Sequence, residues 1–207
     1  MVTAHYIFDP VCGWCYGAGS LIGQLSRMVG VQLALHPGGM MRKTAIDAGF
    51  RRHILEADQR IEAQTGQVFG APYLELVASG ATLVLDSYIT AQAVIAAGHL
   101  GLAEVEMLHR IQQAHYQAGL PVYRTETLSA LAGQLGIAPE AWARAMSQAG
   151  EEVEAAVRHS RQLMEQFGLG GFPSMLMERE GQWQAVGLSR FYGRPDEWRS
   201  FWQQQLA

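Results

Sequence analysis

Two cysteines, Cys12 and Cys15, stand three positions apart as Cys12-Gly13-Trp14-Cys15, and the chain of 207 residues has no others. Three positions is close to one helical turn, so on a helix both sulfurs face the same side and can close a disulfide. The run follows Asp9-Pro10-Val11, where an apolar strand gives way to a helix. Free backbone N–H groups and the helix dipole at such a start favour negative charge, and the thiolate is the reactive form of cysteine. Gly13 keeps the approach open, and Trp14 offers a flat apolar surface beside the sulfur. The chemistry expected is a pair of exchanges. Cys12 attacks a substrate disulfide and Cys15 resolves the mixed disulfide; run backward, the oxidised pair oxidises a dithiol.

The same spacing has plainer readings. A Cys-x-x-Cys can be half of a structural zinc site, but a second pair is missing, and His109 and His115 lie six apart rather than at ligand spacing. No metal is therefore expected. Two cysteines can also pack as small hydrophobes in a helix. The strand-to-helix context favours redox chemistry over both.

A second signal lies far along the chain, at Phe172-Pro173. Pro173 opens a strand, where an ordinary trans proline is tolerated. An antiparallel strand beginning there would start at the sheet edge where Cys12 follows the first strand, so the two sites can be neighbours. A cis bond at Pro173 would leave the backbone of Phe172 free to pair with an extended substrate.

These residues need a scaffold. Val2 to Phe8 reads as a buried strand ending at Asp9-Pro10, Val11 to about Val29 as one helix, and Val31 to Leu35 as a second strand ended by Pro37-Gly38-Gly39. Such a strand-helix-strand unit is parallel and right-handed. From about Thr44 to Phe167 the spacing is helical throughout. Ile46, Phe50, Ile54, Ala57 and Ile61 form one apolar stripe that Gly66 closes, and Glu151, Glu152 and Glu154 read as a solvated helix start. After Gly171 come a strand from Ser174 to Arg179, a turn at Glu180-Gly181, a returning strand from Trp183 to Val186, and a helix from Pro195 to Leu206. Residues 1–39 and 168–207 thus build one discontinuous domain, with residues 40–167 inserted as an all-helical block.

Composition sets the outer bounds. Apolar residues make up 49% of the chain and charged residues 16%, as in a packed globular protein. The net charge of -4 gives no attraction to nucleic acid or an anionic membrane. The opening residues lack the pattern of a secretory signal, which favours the cytoplasm as the expected site of action, with the periplasm as the alternative for a mature form. Trp142, Trp183, Trp198 and Trp202 are expected in the core. Met40 and Met41 either form a yielding apolar surface or dock the insertion on the sheet, and His36 is expected as a surface or internally satisfied side chain.

With both motifs placed, the chain resembles the DsbA-like branch of the thioredoxin superfamily, and among its members the bacterial protein-disulfide isomerases with Asp-x-x-Cys-x-Trp-Cys near the N-terminus. Here that run is Asp9-Pro10-Val11-Cys12-Gly13-Trp14-Cys15, and Gly171-Phe172-Pro173 matches the family's cis-proline loop. The resemblance implies an α/β thioredoxin-like fold, a central mixed sheet flanked by helices, with a large helical insertion. It also implies Cys12 as attacking thiol, Cys15 as resolving thiol and Pro173 as the cis residue. Trp14, Phe172 and Pro173 are the expected substrate-binding residues. One departure stands out: many thioredoxin-fold enzymes carry a buried acid six residues before the first cysteine, where this chain has Tyr6, and Asp9 is expected in the turn.

The implied enzyme is a thiol-disulfide oxidoreductase acting on protein or small-molecule thiols and disulfides. Its redox-active disulfide serves in place of a cofactor, with glutathione as a co-substrate or a thioredoxin-like protein as reductant. The same branch contains glutathione-binding 2-hydroxychromene-2-carboxylate isomerases and kappa-class transferases, which usually have serine at the position of Cys12. That is the alternative activity. A thiol-independent, chaperone-like role for the insertion is a third.

Overall fold

The computed structural model describes residues 2–206. Strand β1 spans Val2–Phe8. Val2, Ala4, Tyr6 and Phe8 join the main core, while Ile7 belongs to a smaller cluster with Leu163, Met164 and Leu176. This is the two-residue period of a strand buried on both faces. Strand β2, Val31–Pro37, pairs with β1 in parallel, and β5, Ser174–Arg179, pairs with it antiparallel on the other side. Strand β6, Gln182–Ala185, completes a four-stranded mixed sheet in the order β2-β1-β5-β6. It begins one residue earlier than the pattern predicts, because Glu180 and Gly181 alone make the turn, at φ 53° and 78°. Such a pair of positive φ angles matches the strand twist of a two-residue hairpin.

The register decides where the site can be. Phe8 lies opposite Pro37, and Ile7 opposite Ser174. The ends of β1 and β2 and the start of β5 therefore share one edge of the sheet.

The single helix expected after β1 is two: α1, Gly13–Gly17, and α2, Gly19–Leu25. Gly17 is where α1 meets α3, Ala48–Thr65; a β-carbon there would lie 2.7 Å from Ile61 Cγ2. The contact requires glycine, and the helix changes course at Ala18 beside it. On the main-core face, α2 packs with α9, Pro195–Leu206, and Trp198 Nε1 donates to the Leu21 carbonyl at 2.9 Å. On the other face lies the end of α8, Pro139–Gln166, through Leu163 and Met164.

Between β2 and α8 stand α3, α4 (Ala71–Ala78), α5 (Ser87–His99), α6 (Glu104–Tyr116) and α7 (Thr125–Gln134). The block is not purely helical. Strands β3, Thr44–Ala45, and β4, Val84–Leu85, form a small antiparallel ribbon. Each strand runs straight into a helix cap: Asp47 accepts from Phe50 N–H at 2.8 Å and Asp86 from Tyr88 N–H at 3.0 Å. Pairing the strands therefore aligns the starts of α3 and α5.

Two further expectations are corrected. Glu151, Glu152 and Glu154 lie in the middle of α8, which is unbroken over 28 residues. Gly150 marks a close approach rather than a break, since a β-carbon there would sit 3.0 Å from Gln92 Nε2 of α5. Trp142, Trp198 and Trp202 are buried, but Trp183 is 39% exposed, its ring lying against His5 and Phe167 at the sheet margin.

Candidate active site

Cys12 is the residue before α1, in extended conformation, and Cys15 lies within the helix. Both are free thiols. Cys12 keeps 7% exposure and lines a cavity, whereas Cys15 keeps 1%. The Cys12 thiol donates to the Phe172 carbonyl, with Sγ···O 3.8 Å across 160 positions of sequence. The Phe172–Pro173 peptide bond is cis, and β5 begins at the next residue. The chain thus brings Cys12, Cys15, Phe172 and Pro173 to the sheet edge that the register defines. Trp14 is half-buried and stacks on Tyr192 at 5.8 Å between ring centres.

Burial, and then the neighbouring Cys12 thiol, push the Cys15 pKa well above its usual value. The Asp9 N–H points at Cys15 Sγ from 3.4 Å and opposes that rise. Tyr6 supplies no acid, but its hydroxyl donates to the Cys15 carbonyl at 3.4 Å.

Asp9 proves more than a turn residue. It is fully buried, and its carboxylate accepts from Val11 N–H at 3.0 Å and Met40 N–H at 2.6 Å. Burial raises its pKa in spite of those bonds. Asp9 therefore ties the loop before Cys12 to the loop after β2.

Gly38 and Arg161 were not legible as site residues. A β-carbon on Gly38 would stand 2.0 Å from Phe172 Cε1, so the ring lies directly on the glycine. Arg161, on α8, donates from Nε to the Gly38 carbonyl at 2.7 Å and holds its guanidinium over the Phe172 ring at 5.0 Å. The sequence signal for Gly38 was only its place in a strand-ending turn; Arg161 reads as an ordinary solvated helix position. Met40 lines the cavity beside Cys12, and Met41 packs on the core. His36 bonds to His5 at 2.9 Å, as an internally satisfied side chain does.

Two cavities flank the motif, and Trp14 lines both. One, of about 430 Å³, is bounded by Phe172, Pro173, Leu188 and Tyr192. The other, of about 230 Å³, is bounded by Cys12, Gly13, Met40, Ile54 and Asp58. No group of three histidine, cysteine or acidic side chains converges on a metal-sized site among the described residues.

The sequence profile of the DSBA-like thioredoxin domain matches residues 5–193. The chain belongs to the DSBA-like thioredoxin-domain family. Its fold superposes on a cytosolic disulfide reductase, DsbM, from Pseudomonas aeruginosa with a TM-score of 0.92 and 38% identity, over 99% of this chain and 98% of that one. A second structure of the Pseudomonas protein, determined with GSH, gives 0.91 at the same identity and coverage. A 2-hydroxychromene-2-carboxylate isomerase shares the fold at a TM-score of 0.60 and 15% identity, over 98% of this chain and 97% of that one. Among curated proteins no sequence match is found. Family and likeness together make this DSBA-like chain a thiol-disulfide oxidoreductase. No helix among the described residues is long and apolar enough to cross a membrane.

Proposed function

We propose that this protein is a cytoplasmic disulfide reductase that works through Cys12 and Cys15 and draws its electrons from glutathione. The observation that carries the reading is the Cys12 thiol facing the Phe172 carbonyl from the start of α1. The direction and the electron donor are supported by the 38% identical Pseudomonas protein, a cytosolic disulfide reductase with a structure containing GSH.

In this scheme the substrate settles against Trp14, Phe172 and Pro173. The Cys12 thiolate attacks one sulfur of the substrate disulfide. A Cys12–substrate bond forms, the substrate S–S bond breaks, and the departing thiolate leaves with the electron pair and takes up a proton. Cys15 then gives up its proton and attacks Cys12 Sγ, expelling the second substrate thiolate. The substrate has gained two electrons and the protein holds a disulfide. One glutathione thiolate opens that disulfide at Cys12. A second attacks the glutathione sulfur of the mixed disulfide, releasing oxidised glutathione and the dithiol. The buried Cys15 is the thiol to be deprotonated for resolution, so Asp9 N–H, aimed at its sulfur, assists that step.

Cys12→Ser should reduce glutathione-dependent disulfide reduction by at least about a thousandfold, the scale of losing a nucleophile. Cys15→Ser should instead accumulate a mixed disulfide on Cys12, visible by mass spectrometry. The reduction potential of the pair should lie near about -270 mV, in the reductase range. A potential near about -120 mV would make the protein an oxidase instead. Persistent glutathione-dependent isomerisation of a non-disulfide substrate by Cys12→Ser would favour the isomerase and transferase activity.

A further inference from the structure

The cavity that Cys12 itself lines excludes Phe172 and Pro173, so the scheme above gives it no role. Its walls are mostly apolar, from Val11, Met40, Phe50, Ile54 and Leu83. Into them projects Asp58 of α3, which is only 3% exposed. Tyr73 donates to Asp58 Oδ2 at 2.9 Å. Oδ1 receives no hydrogen bond from the described residues. It lies 3.1 Å from where a β-carbon on Gly13 would stand, inside the Cys-x-x-Cys motif.

Oδ1 is thus open to the cavity, where a ligand donor can pair with it among mostly apolar walls. No lysine or arginine lines the cavity to supply that donor. Among the other titratable groups there, His115 is held neutral, burial pushing its pKa down to about 4. Burial pushes Tyr73 and Tyr116 up, so both stay neutral. His53 stands at the exposed rim. Apart from the reactive sulfur itself, Asp58 is thus the anionic group of the cavity. A volume of about 230 Å³, roughly that of seven or eight waters, suits a short aminothiol.

We propose that this cavity is a subsite for the leaving half of a small disulfide, and that Asp58 selects a half bearing a primary ammonium. The inference rests on the redox reading above and names a substrate class for it. Cys12 attacks the sulfur of the half lying toward Phe172 and Pro173. The S–S bond breaks, and the other half departs as a thiolate into the Asp58 cavity and is protonated by solvent. Its ammonium donates to Asp58 Oδ1. Gly13 makes this reach possible, because any side chain there would stand in front of the oxygen.

The test uses the whole protein with excess glutathione at neutral pH and three disulfides of similar length. These are cystamine (cationic), bis(hydroxyethyl) disulfide (neutral) and dithiodipropionate (anionic). Each kcat/KM is divided by the uncatalysed rate of that disulfide with glutathione, which removes intrinsic reactivity. Cystamine should exceed the neutral compound by about tenfold or more, and dithiodipropionate should fall below it, as expected of a partly buried charge pair. Asp58→Asn should bring the cationic-to-neutral ratio to within about threefold of unity. The wild-type ranking is decisive without any variant: turnover of the neutral disulfide with no cationic preference overturns the subsite and leaves the redox reading intact. An unchanged ratio in Asp58→Asn also overturns it. Failure to reduce all three overturns the redox reading, and the subsite with it.

Discussion

Asp58 carries an energetic cost that its neighbours do not remove. Burial raises its pKa from 3.8 to about 6, and the Tyr73 hydroxyl only partly opposes that rise. The folded state therefore holds the proton more tightly than the unfolded chain. The stabilisation this gives is fully present below pH 3.8 and is lost as pH rises through about 6. At neutral pH the carboxylate is charged in both states and its desolvation opposes folding. Asp58→Asn should then stabilise the protein by about 2 kcal/mol at neutral pH, with the gain vanishing near about pH 4, as read from urea denaturation at the two pH values. A residue that costs stability where it sits is the kind found at sites whose function needs it. The two cysteines, by contrast, stand out at once, because their spacing is that of a dithiol able to close within one helical turn. Asp58 does not, since one acid in an amphipathic helix looks like any solvated position.

At the scale of elements, the site depends on how three loops meet. The turn after β2 brings Gly38 under Phe172, Asp9 binds the next loop through Met40, and Arg161 of α8 closes over both Gly38 and the Phe172 ring. A methyl group on Gly38 has no room, and the guanidinium above hinders the ring from swinging away. Gly38→Ala should therefore cost about 1 to 3 kcal/mol of stability. By displacing the carbonyl that faces Cys12, it should also lower kcat/KM by roughly tenfold to a hundredfold. Thermal denaturation and steady-state kinetics on the same preparation check both. If activity falls with no change in stability, the ring moves without strain and the contact serves position alone. Periodicity found β1, β5 and α9 with the observed ends, because each has a strong pattern and a clear stop. It ran through Gly17 and joined α1 to α2, whereas at Gly150 it read glycine as a break and cut α8 short. In both places glycine is where another helix presses in.

Across the whole molecule, buried histidines couple stability to pH. Burial, with His5 and His159 adding to it, pushes His36 down to about 4; burial alone does the same to His115, and His5 is also lowered. These rings are neutral in the folded protein, whereas the unfolded chain binds their protons from about pH 6.5 downward. The stability they contribute is present above that pH and is lost as pH falls through about 4. His109 is lowered in the same way, while Asp9, Asp58 and Glu104, which burial raises, act in the opposite direction. With His36 and His115 both lowered to about 4, unfolding free energy should fall on balance between pH 6.5 and pH 4, measurable by chemical denaturation across that range. A flat profile would mean that these rings are solvated in solution.

The residues alone carried the expectation of dithiol chemistry, the four strands of the main sheet, and the presence of a long, mostly helical insertion. Each of these is written locally, in a three-residue spacing, a hydrophobic period or a turn pair. Only the tertiary structure decided what surrounds the sulfur. The Phe172 carbonyl, the Arg161 guanidinium and the Asp58 carboxylate come from segments up to 160 positions distant from Cys12. They converge because strand register and helix packing bring them there, and neither quantity is carried by any short stretch of chain.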